Sequence, residues 1–421
     1  MLARRAGATA AVLLLALVAW APGTLAKTTV TFWHAMGGPL GNTLKQMVEE
    51  YNRVNPDVEV VEQYQGNYGQ LNQKLLAAVA AGQAPTISQS YSNWTEQLLK
   101  AGAIVPLDPF VQGPDGLSGK ELADFWPVLL EANRWDGVLW SLPFNKSIYV
   151  QFYNVTVYKA LGLTAPTDWE SLLKAAQAAT LRKGGEIVRY GYGLRPNVDT
   201  FALFLLTNGG EWLTSDYKQA RFNEEPGVEA LQFLVDMIHR YKVAYYIPGY
   251  LEQDFAAGKV AAYATSTPGR PYMEQAVGTR FEWGIAPLPT RATQRTPVAG
   301  TDLVIYAAAS AEAKREAWKF AKWLTQPKQT ARWFMATYYL PVRRSALDLP
   351  EMQAYLKSDP RNDAPLVLLP YAVTDPPISE WERIRNFVSN AVEQAFLLKA
   401  TPKDALEEAA RKTNGELARR R

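Results

Sequence analysis

The side chains that most often do chemistry are scarce in this chain of 421 residues. It has no cysteine and two histidines, His34 and His239, far apart in sequence. Without thiolates a zinc site would need carboxylates, and no metal-ligand spacing appears. No Gly-x-Ser-x-Gly elbow is present. Residues 113–120 are glycine-rich, but Pro114 and Glu121 break the spacing of a phosphate-binding loop, so the stretch reads as a surface turn. Glu380 and Glu382 are the kind of paired acids a glycosidase uses. Two positions apart, they share no helix face and read as a solvated pair. The expectation is therefore a protein that is not an enzyme and needs no metal or cofactor. A secreted hydrolase of glycans or phosphodiesters is the weaker alternative, for want of an acid–base pair.

What the chain carries instead is aromatic side chains at expected strand ends and loops: Trp33, Tyr64, Tyr68, Tyr91, Trp94, Tyr153, Tyr338 and Tyr339. Most aromatics in any chain are core. Those that reach a cleft suit the CH faces of a sugar or polyol, while their OH and NH groups bind its hydroxyls. That is the chemistry of capture without turnover.

The elements that must position them alternate. Residues 29–33 form an apolar strand, followed by a Gly-Gly-Pro turn at 37–39 and a helix from about Asn42. Leu44, Met47, Val48 and Tyr51 lie on one face of that helix, and Asn55-Pro56 stops it. Residues 58–61 are the next strand, 71–81 a helix closed by Gly82, and 86–90 a third strand. Asn93 with Glu96 reads as a capping box opening another helix. The pattern resumes after Asn154, with a Thr167–Glu170 capping box before a helix over 169–181. Further helices are expected over 226–241 and 311–324, with a strand over 260–264 between them. A last helix starts at Thr401-Pro402. Strand and helix in alternation predict an α/β fold with mainly parallel sheets.

The length favours two bodies over one core. No low-complexity linker separates them, so the chain is expected to cross between them more than once, in extended segments at 142–154, 287–300 and 339–344. Net charge is +3, with no long basic run, which argues against a nucleic-acid partner. Arg4 and Arg5, an apolar run over 8–20 and Thr24-Leu25-Ala26 compose a cleavable export signal over 1–26. Its removal leaves a net charge of +1. No later stretch resembles a membrane helix. The absence of cysteine argues against a lipid-anchored form and for a free periplasmic monomer.

Several short motifs occur in an order that resembles one family. They are Thr31-Phe32-Trp33-His34-Ala35-Met36, Asn55-Pro56, Gly66-Asn67-Tyr68, Gly82-Gln83-Ala84-Pro85, Pro143-Phe144-Asn145-Lys146-Ser147, Phe152-Tyr153-Asn154, Pro166-Thr167-Asp168-Trp169, Gly258-Lys259, Pro287-Leu288-Pro289 and Tyr339-Leu340-Pro341. Each is weak alone. Together they are similar to the family 1 extracellular solute-binding proteins of ABC importers, across the whole mature chain. The Phe-Trp-His-x-Met opening and Gly-Asn-Tyr are most like members that bind sn-glycerol-3-phosphate and glycerophosphodiesters.

The resemblance implies a two-lobed, maltose-binding-protein-like fold with hinge crossovers. The lobes would be 27–142 plus 298–340 and 143–297 plus 341–421. It implies ligand-binding roles for Tyr68, Ser92, Ser147, Ser266, Gly300, Tyr339 and Arg385. The arginine, serines and glycine N–H suit a phosphate ester. Two departures matter. Ser92 follows Tyr91 where the family has a glutamate for glycerol hydroxyls, and residues 191–196 lack the family's tryptophans. Trp94 and Arg195 are candidate replacement contacts. The implied partners are a small polar solute, such as glycerol-3-phosphate, glycerophosphocholine or alternatively a mono- or oligosaccharide, and the inner-membrane permease subunits that receive it.

Overall fold

In the first strand, β1 (Thr28–His34), burial alternates: Val30, Phe32 and His34 point inward, as a half-buried strand requires. A computed structural model describes residues 27–419. The expected export signal lies outside the described residues. The helix after β1 spans Gly38–Val54 and buries Leu40, Leu44, Met47, Val48 and Tyr51. It begins before Asn42, because Pro39 fits a first turn whose N–H groups need no intrahelical acceptor. β2 is Val58–Tyr64. The helix Tyr68–Ala80 likewise starts earlier than its apolar pattern, through a capping box between Asn67 and Gln70.

Two expected caps are corrected. The helix Ser92–Lys100 follows β3 (Ile87–Ser90) with Tyr91 at its N-cap, and Asn93 and Glu96 are buried within it. Before the helix Trp169–Ala179 the reciprocal pair is Asp168 with Ser171. Asp168 can accept two N–H bonds at a helix start, so it outcompetes the hydroxyl one residue earlier. The helices Ala311–Leu324 and Pro402–Leu417 stand where the sequence puts them, capped by Ser310 and Thr401.

The remaining strands of the main sheet are β4 (Leu142–Asn154), β5 (Tyr192–Leu194), β6 (Ala244–Tyr246), β7 (Ala262–Ser266), β8 (Trp283–Ala286), β9 (Thr296–Ile305) and β10 (Ala372–Val373). Their order is β6-β5-β7-β4-β9-β3-β1-β2, with β8 on β4 and β10 on β9. Pairing is parallel towards both ends and antiparallel in the middle, where β4 and β9 run. Residues Leu142 to Ile148 of β4 pair with β9, whereas Tyr149 to Asn154 pair with β7 and β8. One strand thus serves both halves of the sheet.

Of the three expected crossings, 142–154 is strand throughout and 287–300 is strand from Thr296 on. Residues 339–344 form no named strand, but the Leu340 N–H donates to the Lys146 carbonyl at 2.7 Å and lies against β4. One core gathers Val30, Phe32, Leu44, Ile305 and Phe320. A second gathers Trp169, Phe201, Leu231, Trp381, Val388 and Leu406. Fully burying such a side chain is worth roughly 1.5–3 kcal/mol. Ala346 and Met352 pack with Ala331 and Phe334 of the helix Pro327–Thr337. Among the described residues no helix is long and apolar enough to cross a membrane.

Candidate functional site

A cavity of about 250 Å³ opens where β4 and β9 pass four helix starts. Tyr68, Gly69 and Asn72 reach it from the first turns of the helix Tyr68–Ala80. Tyr91 and the first turn of Ser92–Lys100 contribute Ser92, Asn93 and Trp94. β4 adds Lys146 and Tyr149, and β9 adds Pro297 to Gly300. From the other side come Asp199 and Ala202 of the helix Val198–Thr207, Thr374 and Asp375 after β10, and Glu382 and Arg385 of the helix Trp381–Phe396. Glu382 and Arg385 share a wall because they are three apart on one helix.

The charges are already paired. Arg385 donates to Asp199 at 2.5 Å and to Asp375 at 3.3 Å, with its side chain 26% exposed. Burial works against its charge, but the two aspartates outweigh it and raise its pKa. Burial pushes the Asp375 carboxyl up, and Arg385 partly offsets that. Lys146 is held by Asp302 in a pair exposed by 4% and 0%. Glu382 accepts from the Asn93 amide at 3.2 Å. Two cations therefore face three lining carboxylates, with Asp302 behind Lys146. Burial raises the Tyr68, Tyr91 and Tyr149 hydroxyls well above the ordinary phenol value, so all three are neutral donors and acceptors.

Of the nine residues expected to contact ligand, five line this cavity: Tyr68, Ser92, Trp94, Gly300 and Arg385. Four do not. The Tyr339 hydroxyl lies 3.0 Å from that of Tyr68, one step behind the wall. Ser266 donates to Ser147 at 2.8 Å, and Ser147 pairs across β4–β9 with Ala299, which does line the cavity. Arg195 instead stacks its guanidinium over the Tyr250 ring at 4.6 Å. Arg383 faces away, paired with Glu416 at 3.1 Å and 60% exposed.

One sequence expectation is corrected. Glu380 and Glu382 are not a solvated pair: Glu380 is buried and Glu382 is in the wall. The partners of Arg385 are Asp199 and Asp375. Sequence reasoning missed Asp199, Asp375 and Tyr149 altogether. Asp199 follows Asn197, the N-cap of its helix, so an acid there reads as a favourable helix start. Asp375, before Pro376-Pro377, reads as loop.

The two sides of the cavity also touch directly. Lys100 donates to the Ser379 hydroxyl at 2.7 Å, and Gln97 to the Ser379 carbonyl at 3.2 Å. The Tyr272 hydroxyl donates to the Gly37 carbonyl at 3.1 Å. Among the described residues no group of three or more His, Asp or Glu side chains is placed to hold a metal ion.

A family model described as bacterial extracellular solute-binding protein matches residues 46–360. The chain is 26% identical to the sn-glycerol-3-phosphate-binding periplasmic protein UgpB of Pectobacterium atrosepticum, over 94% of this chain and 93% of that protein. To the same-named protein of Salmonella typhimurium it is 28% identical, over 94% of each. Among solved structures, UgpB from Mycobacterium tuberculosis in complex with glycerophosphocholine superposes with a TM-score of 0.84 at 24% identity, over 93% of this chain and 99% of that one. A solute-binding protein from Thermotoga lettingae bound with alpha-D-tagatose superposes at 0.81 and 24% identity, over 93% and 100%.

Proposed function

This chain belongs to the bacterial extracellular solute-binding proteins, and from that premise we propose that its cavity captures a glycerophosphodiester with no net negative charge, such as glycerophosphocholine. The coarser role is that of the periplasmic solute-binding component of an ABC importer. The observation that carries the ligand class is the placing of Arg385 between Asp199 and Asp375, with Glu382 in the same wall.

An anionic oxygen is suited by Arg385, by the hydroxyls of Tyr68 and Ser92, and by the Gly300 backbone. The surplus carboxylate and the faces of Tyr91, Trp94 and Tyr149 suit a cationic end. A dianionic monoester such as glycerol-3-phosphate adds charge to an already acidic wall. One unit of like charge about 4 Å from a carboxylate costs roughly 4 kcal/mol at an effective dielectric near 20. A zwitterionic diester avoids that cost.

In this reading the lobes, 27–142 plus 298–340 and 143–297 plus 341–421, close about β4, β9 and residues 339–344. Ligand then gains contacts from both sides. The closed form delivers it to permease subunits in the inner membrane. Export follows cleavage after Ala26, without a lipid anchor. The chain carries out no covalent step.

A second reading, a neutral mono- or oligosaccharide, is supported by the same carboxylates, each of which accepts two hydroxyls. Calorimetric titration of the protein from Lys27 onward with glycerophosphocholine, glycerol-3-phosphate and trehalose separates them. The expected result is micromolar or tighter binding of the diester and weaker binding of the monoester. Arg385→Ala is expected to cost the diester about 2–5 kcal/mol. Tight trehalose binding with no response to either phosphate ester overturns the proposal and leaves the transport role intact.

A further inference from the structure

We infer that Asn145 is a positioning residue that leaves the Tyr68–Tyr339 hydroxyl pair with one proton to give, so that the ligand atom this pair meets is a hydrogen-bond acceptor. The inference rests on the reading of the cavity as the solute site.

The backbone N–H of Ala35, just after β1, donates to Gln89 Oε1 at 2.9 Å. A backbone N–H does nothing else, so it settles which end of the Gln89 amide is oxygen. Gln89 Nε2 then donates to Asn145 Oδ1 at 3.0 Å, and the Thr301 hydroxyl donates to the same oxygen at 2.6 Å. With its oxygen doubly engaged, Asn145 turns its Nδ2 to the Tyr68 hydroxyl at 2.9 Å. Gln89, Asn145 and Thr301 are all fully buried, so water does not scramble the order, and an orphaned amide group there would cost about 1–3 kcal/mol.

The proton count follows. Tyr68 and Tyr339 hold two hydroxyl protons, and their oxygens lie 3.0 Å apart. One proton sits between them, whichever oxygen donates. Asn145 brings a donor and removes none. Asn145 is hydrogen-bonded to both hydroxyls, in each case as the donor. One O–H therefore remains, and with Tyr339 donating to Tyr68 it is that of Tyr68, which lines the cavity. Burial raises both phenols, so each hydroxyl keeps its proton.

A phosphate or carboxylate oxygen satisfies the spare proton best, since a hydrogen bond to a charged acceptor is the stronger kind. An ammonium group finds no acceptor in the pair's direction and is steered to the opposite, carboxylate wall. The relay thereby sets which end of a two-ended ligand goes where.

Two near-isosteric variants test this. Asn145→Asp supplies an acceptor that takes up the spare proton, and Gln89→Glu removes the donor that orients Asn145 without touching either tyrosine. Both are expected to weaken glycerophosphocholine binding by about tenfold or more, with circular dichroism and melting showing a folded protein. Neutron diffraction of the unaltered, ligand-free protein gives a readout that needs no ligand. One deuteron is expected between the two tyrosine oxygens and a second directed into the cavity. An outward deuteron missing from that map, or undiminished affinity in a folded Asn145→Asp, overturns the inference. If glycerophosphocholine fails to bind the unaltered protein, the ligand reading fails and the neutron map alone decides this one.

Discussion

The Lys146 ammonium lies 3.0 Å from one oxygen of Asp302 and 3.1 Å from the other. This pair joins β4 to β9 at the strand crossing and is almost wholly out of solvent. Burial raises the Asp302 carboxyl despite the lysine beside it. The pair spends the charge of Lys146 inside the protein, so that Arg385 is left as the cation facing three carboxylates.

Breaking this pair strands a buried charge. Asp302→Asn or Lys146→Met is expected to lower stability by about 3–5 kcal/mol, measured by urea unfolding. The double change Lys146→Met with Asp302→Leu should recover most of that loss. Equal loss in single and double variants would show that the charges themselves are not the source.

His34 is a built-in acid sensitivity. The Met36 N–H donates to its Nδ1 at 3.2 Å, so Nδ1 carries no proton, and Nε2 lies 2.7 Å from Glu62. Burial lowers the ring's pKa, against the pull of Glu62. A depressed histidine gives stability that is full above its unfolded value of about 6.5 and is lost as pH falls towards the folded one. Unfolding free energy should therefore drop below about pH 6.5, and His34→Gln should flatten that drop. An identical pH slope in the variant would remove His34 as its cause.

Gly300 is required by a close approach. Its φ is +95°, and a Cβ there would fall 1.9 Å from the Asn145 carbonyl oxygen. Gly300→Ala should cost at least about 2 kcal/mol, because β4 or β9 must move. Gly415, with open space around it in the helix Pro402–Leu417, is the control. Gly415→Ala should gain about 0.5–1 kcal/mol. A mild Gly300→Ala in thermal melts would count against the strand geometry.

Charge selectivity is expected to sit in Asp375. Asp375→Asn removes one carboxylate from the wall that Arg385 faces. Affinity for glycerol-3-phosphate should rise relative to glycerophosphocholine by roughly tenfold, about 1.4 kcal/mol. An unchanged ratio in competition titration would place the selectivity elsewhere.

The contacts of Lys100 and Gln97 with Ser379, and of Tyr272 with Gly37, hold the two sides of the cavity together. Replacing Lys100, Ser379 and Tyr272 by alanine, alanine and phenylalanine should enlarge the ligand-free protein in small-angle scattering, with ligand restoring compactness. Scattering that ignores both changes would argue against closure at these points.

The sequence by itself determined the elements and their class. Apolar period, Asn55-Pro56 and Thr401-Pro402 act on neighbours in the chain, and such signals need no tertiary partner. Through the family resemblance it also singled out Tyr68, Ser92, Trp94, Gly300 and Arg385, which line one cavity although they are spread from position 68 to 385. Only the tertiary structure decided the electrostatics. Asp199 is separated from Arg385 by 186 positions and Asp375 by 10. Read locally, the first is a helix-start acid and the second a loop residue before two prolines. Their effect on Arg385 exists because two helix starts and a loop converge on one buried point, where low dielectric makes each charge count. The proton order from Ala35 through Gln89 and Asn145 to the tyrosines has the same origin: each link is short in space and long in sequence.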